Sequence, residues 1–250
     1  MFSFFRRKKS ANVTETVFTT TRQGLTIRGT ELRPEGDRLP AAIMCHGFMA
    51  TQGTVRQYAN ALAEAGYATY IFDFCGGSAA FGKSEGKTTD MSVLTEVADL
   101  EAVIAEVTAR PYVDASRLLL AGCSQGGFVS ALTAAKHPDL AKRLVLIFPA
   151  LCIPENWTER YATDEEIPQS IEFWGLTLGK GFVTSLRGMD VFAKMPEYSK
   201  PVIIFQGAKD PIATLGHSQR AAGGHLIGIG ALHYKRAHFP HLCLQQADGV

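Results

Sequence analysis

One serine of this chain has neighbours that suit covalent catalysis. Ser124 lies at the centre of Gly122-Cys123-Ser124-Gln125-Gly126, a G-x-S-x-G pattern. An apolar, strand-like run over 117–121 precedes it, and a helical pattern over 128–137 follows. A serine on so sharp a strand-to-helix turn exposes its hydroxyl above a sheet, and the flanking glycines keep side chains from colliding. The stretch is therefore predicted to be a nucleophile elbow, with Ser124 as the nucleophile.

A second copy of the same pattern provides an internal control. Gly82-Lys83-Ser84-Glu85-Gly86 also reads G-x-S-x-G, but no apolar strand precedes it and polar residues follow at 87–90. This context is typical of a solvated turn. Ser84 is not predicted to be a nucleophile.

An activated serine needs a base, a carboxylate that orients the base, and N–H donors for the oxyanion. Sites in open parallel sheets lie at the carboxyl ends of the strands. Asp210 follows a predicted strand over 202–205, and the order Ser, Asp, His is one known order of the triad. Asp73 and Asp190 are rival carboxylates, although Asp73 is more typical of a loop cap and Asp190 of the exit from an insertion.

The predicted elements favour an α/β fold with a mostly parallel central sheet and helices on both faces. A hairpin is expected over 14–20 and 25–33, then strands at 41–45, 67–72, 117–121, 143–148 and 202–205, with helices at 54–65, 91–109 and behind the elbow. The helix over 91–109 has its apolar stripe at Val93, Leu94, Val97, Leu100, Val103, Ile104 and Val107. We divide the chain into a tail at 1–12 and one domain at 13–250, with a cap inserted at about 150–195.

Composition narrows the function classes. The chain has 250 residues, is 46% hydrophobic and 20% charged, and has a net charge of +1. This is typical of a globular domain and gives no support for nucleic-acid binding. The five cysteines have no paired spacing and no export signal precedes them, so reduced thiols and a cytoplasmic location are expected, with no metal site and no cofactor. Phe2 to Lys9 mixes aromatic and basic residues, but we expect no membrane contact; a homodimer is left open.

The chain resembles the α/β-hydrolase superfamily, and within it the small-lid esterases that include cinnamoyl and feruloyl esterases. The matching pieces are His46-Gly47-Phe48, the loop over 73–86, the elbow over 122–127 and Gly207-Ala208-Lys209-Asp210. The resemblance implies that Ser124 is the nucleophile and Asp210 the triad acid. It also implies that the backbone N–H groups of Phe48 and Gln125 form the oxyanion hole, and that His46 and Gly47 orient their loop rather than supply the base.

The base is the least defined part of the site. Leu226 to Ile229 is a candidate last strand, and Gly230-Ala231-Leu232-His233 is a degraded form of the family's glycine turn, so His233 is favoured. His238 is the alternative. His217 and His225 are expected to face solvent, and His137 to end the helix behind the elbow. The stretch after Ala222 departs from the family pattern, which leaves open a chain without a working base.

The resulting expectation is a serine hydrolase that cleaves carboxylic esters through an acyl-enzyme, with an aromatic or apolar acyl group suggested by aromatic residues of the cap. The alternatives are a thioesterase or peptidase of the same fold, or a catalytically impaired protein that only binds. Cys123 alternates with the nucleophile along the strand, so it is expected to pack on the far side of the sheet.

Overall fold

The computed structural model describes residues 12–78 and 82–223, together with the backbone of a strand at 227–231. The strands are β1 (Val13–Arg22), β2 (Leu25–Pro34), β3 (Leu39–Cys45), β4 (Ala68–Phe72), β5 (Val113–Cys123), β6 (Arg143–Ile147), β7 (Ser170–Phe173), β8 (Leu176–Gly179), β9 (Val202–Gln206) and β10 (Ile227–Ala231). The α-helices are α1 (Arg56–Glu64), α2 (Val93–Thr108), α3 (Gln125–Lys136), α4 (Ile153–Arg160), α5 (Lys180–Thr184), α6 (Val191–Lys194) and α7 (Leu215–Ala222). None of the helices in this part of the chain has the length and apolar character to cross a membrane.

The main sheet has the strand order β1-β2-β4-β3-β5-β6-β9-β10. β1 and β2 form the expected antiparallel hairpin, and β2 also pairs antiparallel with β4. All other neighbours in this sheet, from β4 through to β10, are parallel. The predicted α/β class with a mostly parallel sheet is confirmed, and parallel strands end at one edge, where a site can form.

Apolar residues on both faces of β5 explain why this strand is central. Leu118 and Leu120 belong to the core on the α2 and α3 side, whereas Leu119, Ala121 and Cys123 belong to the core on the α1 side. A strand covered on both faces has no polar alternation, which is why it reads as a continuous apolar run. The prediction that Cys123 packs away from the elbow's helix is confirmed.

The apolar stripe predicted for α2 is wrong at one position. Leu94 is 50% exposed, while Glu96 and Asp99 on the same helix are buried. Residues three and four apart lie on one face of a helix, so Glu96 lies on the same face as Val93 and Leu100. It is buried because of this position, although its side chain is charged. The helix begins two residues into the predicted range because Ser92 and Thr95 form a capping box.

The chain between β6 and β9 leaves the main sheet and folds over its carboxyl edge. It contains α4, the antiparallel β7–β8 hairpin, α5 and α6. Trp157, Phe173 and Phe182 from this segment form an aromatic cluster with Phe48, which follows β3. The segment therefore contacts the same edge of the sheet as the elbow. The domain bounds given above, with the cap at 150–195, remain a prediction.

Candidate active site

Ser124 adopts strained backbone between β5 and α3. Its φ is 51° and its ψ is −121°, a region of backbone dihedral space that residues with a Cβ rarely occupy. Three hydrogen bonds hold this turn: the Ser124 N–H donates to Ile147 O at 3.0 Å, and the Ser124 carbonyl accepts from Phe128 N at 3.1 Å and Ala150 N at 3.0 Å. Surrounding structure that over-determines a strained residue is a recurrent feature of functional sites.

The elbow glycines are required by close backbone approach. A Cβ on Gly122 would collide with the carbonyl of Gly126, and a Cβ on Gly126 would collide with the carbonyls of His46 and Cys45. The steric role expected for these glycines is confirmed. The elbow therefore packs directly on the end of β3, which brings the loop after β3 beside Ser124.

The Ser124 hydroxyl is partly exposed and has no hydrogen-bond partner among the described residues. Gly47 is its neighbour, since a Cβ built on Gly47 would lie 3.1 Å from the Ser124 Cβ and 3.7 Å from its Oγ. The space beside the hydroxyl is thus kept open by glycine.

Two backbone amides next to Ser124 have no acceptor in the described part of the chain. Phe48 follows Gly47 in the loop after β3, and Gln125 is the first residue of α3. The N–H groups at a helix start have no intrahelical acceptor and carry partial positive charge, which suits a developing anion. These are the amides that the sequence resemblance assigns to the oxyanion hole.

His46 is buried, and both of its ring nitrogens are engaged. Nδ1 lies 2.8 Å from the carbonyl of Gly47, while Nε2 lies 3.2 Å from the N–H of Phe74 and 3.3 Å from the Ser78 hydroxyl. Burial lowers the pKa of His46, opposed by its bond to Gly47 and by the charge of Asp73. A neutral ring with its proton on Nδ1 satisfies these contacts, so His46 joins two loops and has no free nitrogen for Ser124.

The rival carboxylates have structural partners. Asp73 is buried and accepts from the backbone N–H groups of Gln52 at 2.7 Å and Lys83 at 3.0 Å. Asp190 caps α6 by accepting from the N–H groups of Phe192 and Ala193. Asp73 therefore holds loops together, and Asp190 begins a helix.

Asp210 lies four residues past the end of β9. Its Oδ1 accepts from the N–H groups of Ile212 at 2.9 Å and Ala213 at 3.0 Å. Its other oxygen has no hydrogen-bond partner among the residues that the structure describes. A carboxylate fixed at one oxygen and available at the other has the geometry to orient an imidazole.

His233, His238 and His225 lie outside the described residues. β10 pairs in parallel with β9, with Ala231 opposite Gln206, so a last strand is present. It begins one residue later and ends two residues later than expected, and it includes Gly230 and Ala231, which were expected to lie in the turn. His217 does not simply face solvent as expected, because its Nδ1 contacts Thr214 Oγ1 at 2.7 Å and its Nε2 contacts Glu155 Oε2 at 3.1 Å. His137 is the C-cap residue of α3, as expected for the end of that helix, and its Nε2 lies 2.7 Å from Glu101 Oε1.

Ser84, the control serine, has a structural role. Its hydroxyl donates to the carbonyl of Asp73 and accepts from the N–H of Arg28 at 2.9 Å. Unlike Ser124, it therefore has both a donor and an acceptor in place. The sequence prediction that Ser124 and not Ser84 is the nucleophile stays a prediction.

The buried thiols are protonated. Burial raises the pKa of Cys123 to about 12 and that of Cys45, beneath the elbow, to about 12. Neither is a reactive nucleophile, because the thiolate is the reactive form. Within the described residues no cluster of three or more His, Cys, Asp or Glu side chains could hold a metal ion.

Glu96 is a buried group that the sequence reading did not single out. Its Oε2 accepts from the side-chain Nε2 of Gln125 at 2.8 Å, and both side chains are buried. Burial raises the pKa of Glu96 to about 8, opposed by the bond from Gln125 and supported by the nearby charge of Asp99. Glu96 lies three residues after Val93, a spacing that indicates the buried face of the helix. Its burial was not predicted because charged side chains are usually exposed.

Comparisons with known proteins agree with the fold. A family model described as serine aminopeptidase, S33, matches residues 38–187, more than half of the chain. Est1E from Butyrivibrio proteoclasticus, solved with ferulic acid bound, superposes with a TM-score of 0.79 at 24% identity, covering 86% of this chain and 88% of that one. Acetyl xylan esterase from Paenibacillus sp. R4 gives a TM-score of 0.62 at 17% identity, covering 93% and 81% of the two chains.

Among curated proteins, an uncharacterized 31.7 kDa protein of the traX-finO intergenic region in Escherichia coli is 35% identical over 96 residues. That match covers 38% of this chain and 32% of the relative, so the chain spans about a third of the length of the curated relative that it matches.

Proposed function

The chain belongs to the serine aminopeptidase S33 family of α/β hydrolases, and on this basis we propose that it is a serine hydrolase that cleaves carboxylic esters through an acyl-enzyme. The observation that carries the proposal is the backbone of Ser124. Ser124 is strained and partly exposed, and its hydroxyl has no hydrogen-bond partner in the described chain. Two backbone amides without acceptors lie beside it. This arrangement contributes little to the stability of the fold. It is suited to attack a carbonyl carbon and to stabilise the resulting oxyanion.

The proposed reaction has two halves. Ser124 Oγ attacks the ester carbonyl while its proton passes to the imidazole of the base, and the oxyanion accepts from the N–H groups of Phe48 and Gln125. Collapse of the tetrahedral intermediate breaks the bond to the alcohol, which leaves with the imidazole's proton. Water then attacks the acyl-enzyme with the imidazole as base, releasing the acid and restoring Ser124. Asp210 orients the imidazole throughout.

We assign the base to His233. β10 ends at Ala231, beside the end of β9 from which Asp210 follows. His233 comes two positions after that strand end, whereas His238 comes seven positions after it. The shorter connection favours His233. Replacing the true base by alanine should lower kcat by about 10³-fold or more, because triad members act as a unit. His233→Ala and His238→Ala, assayed side by side, distinguish the two.

The proposed substrate has an aromatic or apolar acyl group. Phe48 lies in an aromatic cluster with Phe173, Trp174 and Phe182, with ring centroids 5.6, 6.1 and 6.4 Å away. Phe48 follows Gly47, which lies beside Ser124, and an apolar cluster at this position favours apolar groups of the substrate. Est1E, similar in fold, was solved with ferulic acid, an aromatic acid, which is consistent with this assignment. Thioesters and amides are the alternatives, and the family description names an aminopeptidase.

The proposal is tested with p-nitrophenyl acetate and p-nitrophenyl cinnamate, the matching thioesters and an amino-acid p-nitroanilide. We expect turnover of the esters, and loss of activity in Ser124→Ala by about 10³-fold or more. Ser84→Ala, in the second G-x-S-x-G, is the matched control and should keep its activity per folded molecule. Turnover of the anilide alone would replace the esterase assignment by a peptidase. A folded but inactive wild-type chain would favour the binding protein.

A further inference from the structure

A carboxylic acid lies beneath both halves of the proposed oxyanion hole. Glu96, on α2, is 1% exposed, and its Oε2 is the acceptor for the Gln125 side chain at 2.8 Å. Gln125 is the residue whose backbone N–H we propose as one oxyanion donor. Its side chain is itself 2% exposed, so this hydrogen bond is shielded from water. A shielded hydrogen bond is stronger and more directional than one on the surface.

The other oxygen of Glu96 faces the loop that supports the second donor. A Cβ on Gly77 would lie 2.6 Å from Glu96 Oε1, so the carboxyl group contacts this loop closely. The same loop supplies the Phe74 N–H and the Ser78 hydroxyl that bond His46 Nε2. His46 precedes Gly47 and Phe48, the other proposed donor. One carboxyl group thus contacts the supports of both amides.

We propose that Glu96 is a positioning residue that fixes the two oxyanion donors relative to each other, through Gln125 on one side and the Gly77 loop on the other. This inference rests on the proposed function. We do not propose that Glu96 touches the substrate. Its effect is on how well the two amides are preorganised for the oxyanion.

The protonation state of Glu96 is compatible with this role. Burial raises its pKa, so it is mainly neutral at pH 7. A neutral acid can hold Gln125 without placing a negative charge behind amides that must stabilise an anion. The nearby titratable groups are Asp99 on α2, which is paired with Arg22, and the protonated thiol of Cys45 on β3.

The test compares Glu96→Leu with Glu96→Gln in the full chain. Removing an oxyanion donor typically lowers kcat by 10²–10³-fold, so loosening one should lower it by about tenfold. We expect this loss for Glu96→Leu on p-nitrophenyl butyrate, with KM changed less than about twofold, because the ground-state ester makes little use of the donors. Glu96→Gln retains an acceptor for Gln125 and should stay within about threefold of the wild type.

Affinity for an oxyanion mimic separates positioning from general destabilisation. An aryl trifluoromethyl ketone forms a hemiketal oxyanion on an active serine, so its inhibition constant should rise about tenfold in Glu96→Leu, in parallel with the loss of kcat. Glu101→Gln, on the same helix but at a residue that pairs with Lys136 and His137 rather than with Gln125, is the matched control and should alter neither value.

A second variant keeps the inference testable if Glu96→Leu does not fold. Gln125→Leu removes the same hydrogen bond from the other end and should reproduce the loss of kcat. Unchanged kcat and inhibition constant in a folded Glu96→Leu or Gln125→Leu, with an active wild type, would overturn the positioning role alone. A wild-type chain that hydrolyses none of the esters would overturn the proposed function, and this inference with it.

Discussion

Ser124 shows how one residue can be essential to a proposed activity and unfavourable for folding. Its φ of 51° is a conformation that glycine adopts without strain but that is sterically unfavourable for a residue with a Cβ. Residues held in such regions cost on the order of 1–3 kcal/mol, and the surrounding hydrogen bonds maintain them. The conformation is tolerated because α3 and the carboxyl end of β5 fix the chain on both sides.

Ser124→Gly should therefore stabilise the fold while abolishing the proposed activity. Relief of backbone strain, partly offset by glycine's extra freedom in the unfolded chain, should raise the unfolding free energy by about 1 kcal/mol. Ser124→Ala is the matched control, because it also removes the hydroxyl but keeps the strained Cβ. Urea denaturation of the three proteins measures the difference. Equal stabilities for the glycine and alanine variants would argue against strain.

Glu96 should make stability fall as pH rises. Its pKa is raised to about 8 in the folded protein, above the value of roughly 4.3 expected for an unfolded chain. Between these values the folded state holds the extra proton, so the unfolding free energy decreases by up to about 1.4 kcal/mol per pH unit. Glu96→Gln should remove this slope from denaturation curves measured between pH 5 and pH 8.

Glu101 on the same helix provides the control of opposite sign. Partial burial raises its pKa, but hydrogen bonds and charges from Lys136 and His137 outweigh this and lower it. Its contribution to stability is present at neutral pH and is lost as pH falls through its folded pKa. Glu101→Gln should leave the slope between pH 5 and pH 8 unchanged. If both variants keep the wild-type slope, Glu96 is not a buried acid with a raised pKa.

At the scale of elements, the close contact of the elbow with β3 brings the proposed donors together. The strands of the main sheet and the helices α1 to α3 that pack on it could be predicted from their apolar patterns. The steric need for glycine in the elbow could be predicted from its sharp turn. The buried face of α2 could be predicted only in part. Leu94 is apolar yet exposed, and Glu96 is charged yet buried. Their burial depends on their positions around the helix axis, because only one face of the helix packs on the core.

Two helical glycines allow a matched test of this contact. Gly126 and Gly181 are each the second residue of a helix, but only Gly126 has backbone in the space of a Cβ. Gly126→Ala should lower the unfolding free energy by about 3 kcal/mol, since the carbonyls of His46 and Cys45 cannot move without displacing β3. Gly181→Ala should be neutral or raise it by up to about 1 kcal/mol. Thermal melts of both variants decide this.

At the scale of the whole molecule, the segment between β6 and β9 packs its aromatic residues against Phe48, and the proposed base follows β10. The sequence identified the cap as an interruption of the strand-helix rhythm, but not that its aromatic residues pack on Phe48, because long-range contacts between irregular segments have no local pattern. The base is also difficult to predict from the sequence. His233 follows a strand whose glycines and small size weaken its signal, and it lies outside the described residues.

We propose that Trp174, in the segment between β6 and β9, contacts the acyl group of the substrate. It is 51% exposed at the tip of the β7–β8 hairpin, stacks on Phe173 and lies against Phe48. Trp174→Ala should lower kcat/KM for p-nitrophenyl cinnamate by about tenfold, as expected from losing one aromatic contact of roughly 0.5–1.5 kcal/mol and its buried area. The value for p-nitrophenyl acetate should change less than about twofold. Equal losses on both esters would contradict an aromatic acyl site.

The central claim is that the hydroxyl of Ser124, and no other, is an activated nucleophile. Its most direct test is reaction of the full chain with a fluorophosphonate at neutral pH, followed by peptide mass spectrometry. We expect one phosphonylated residue, Ser124, with labelling lost in Ser124→Ala and retained in Ser84→Ala. Absence of labelling in the folded protein, or labelling that persists in Ser124→Ala, would contradict it.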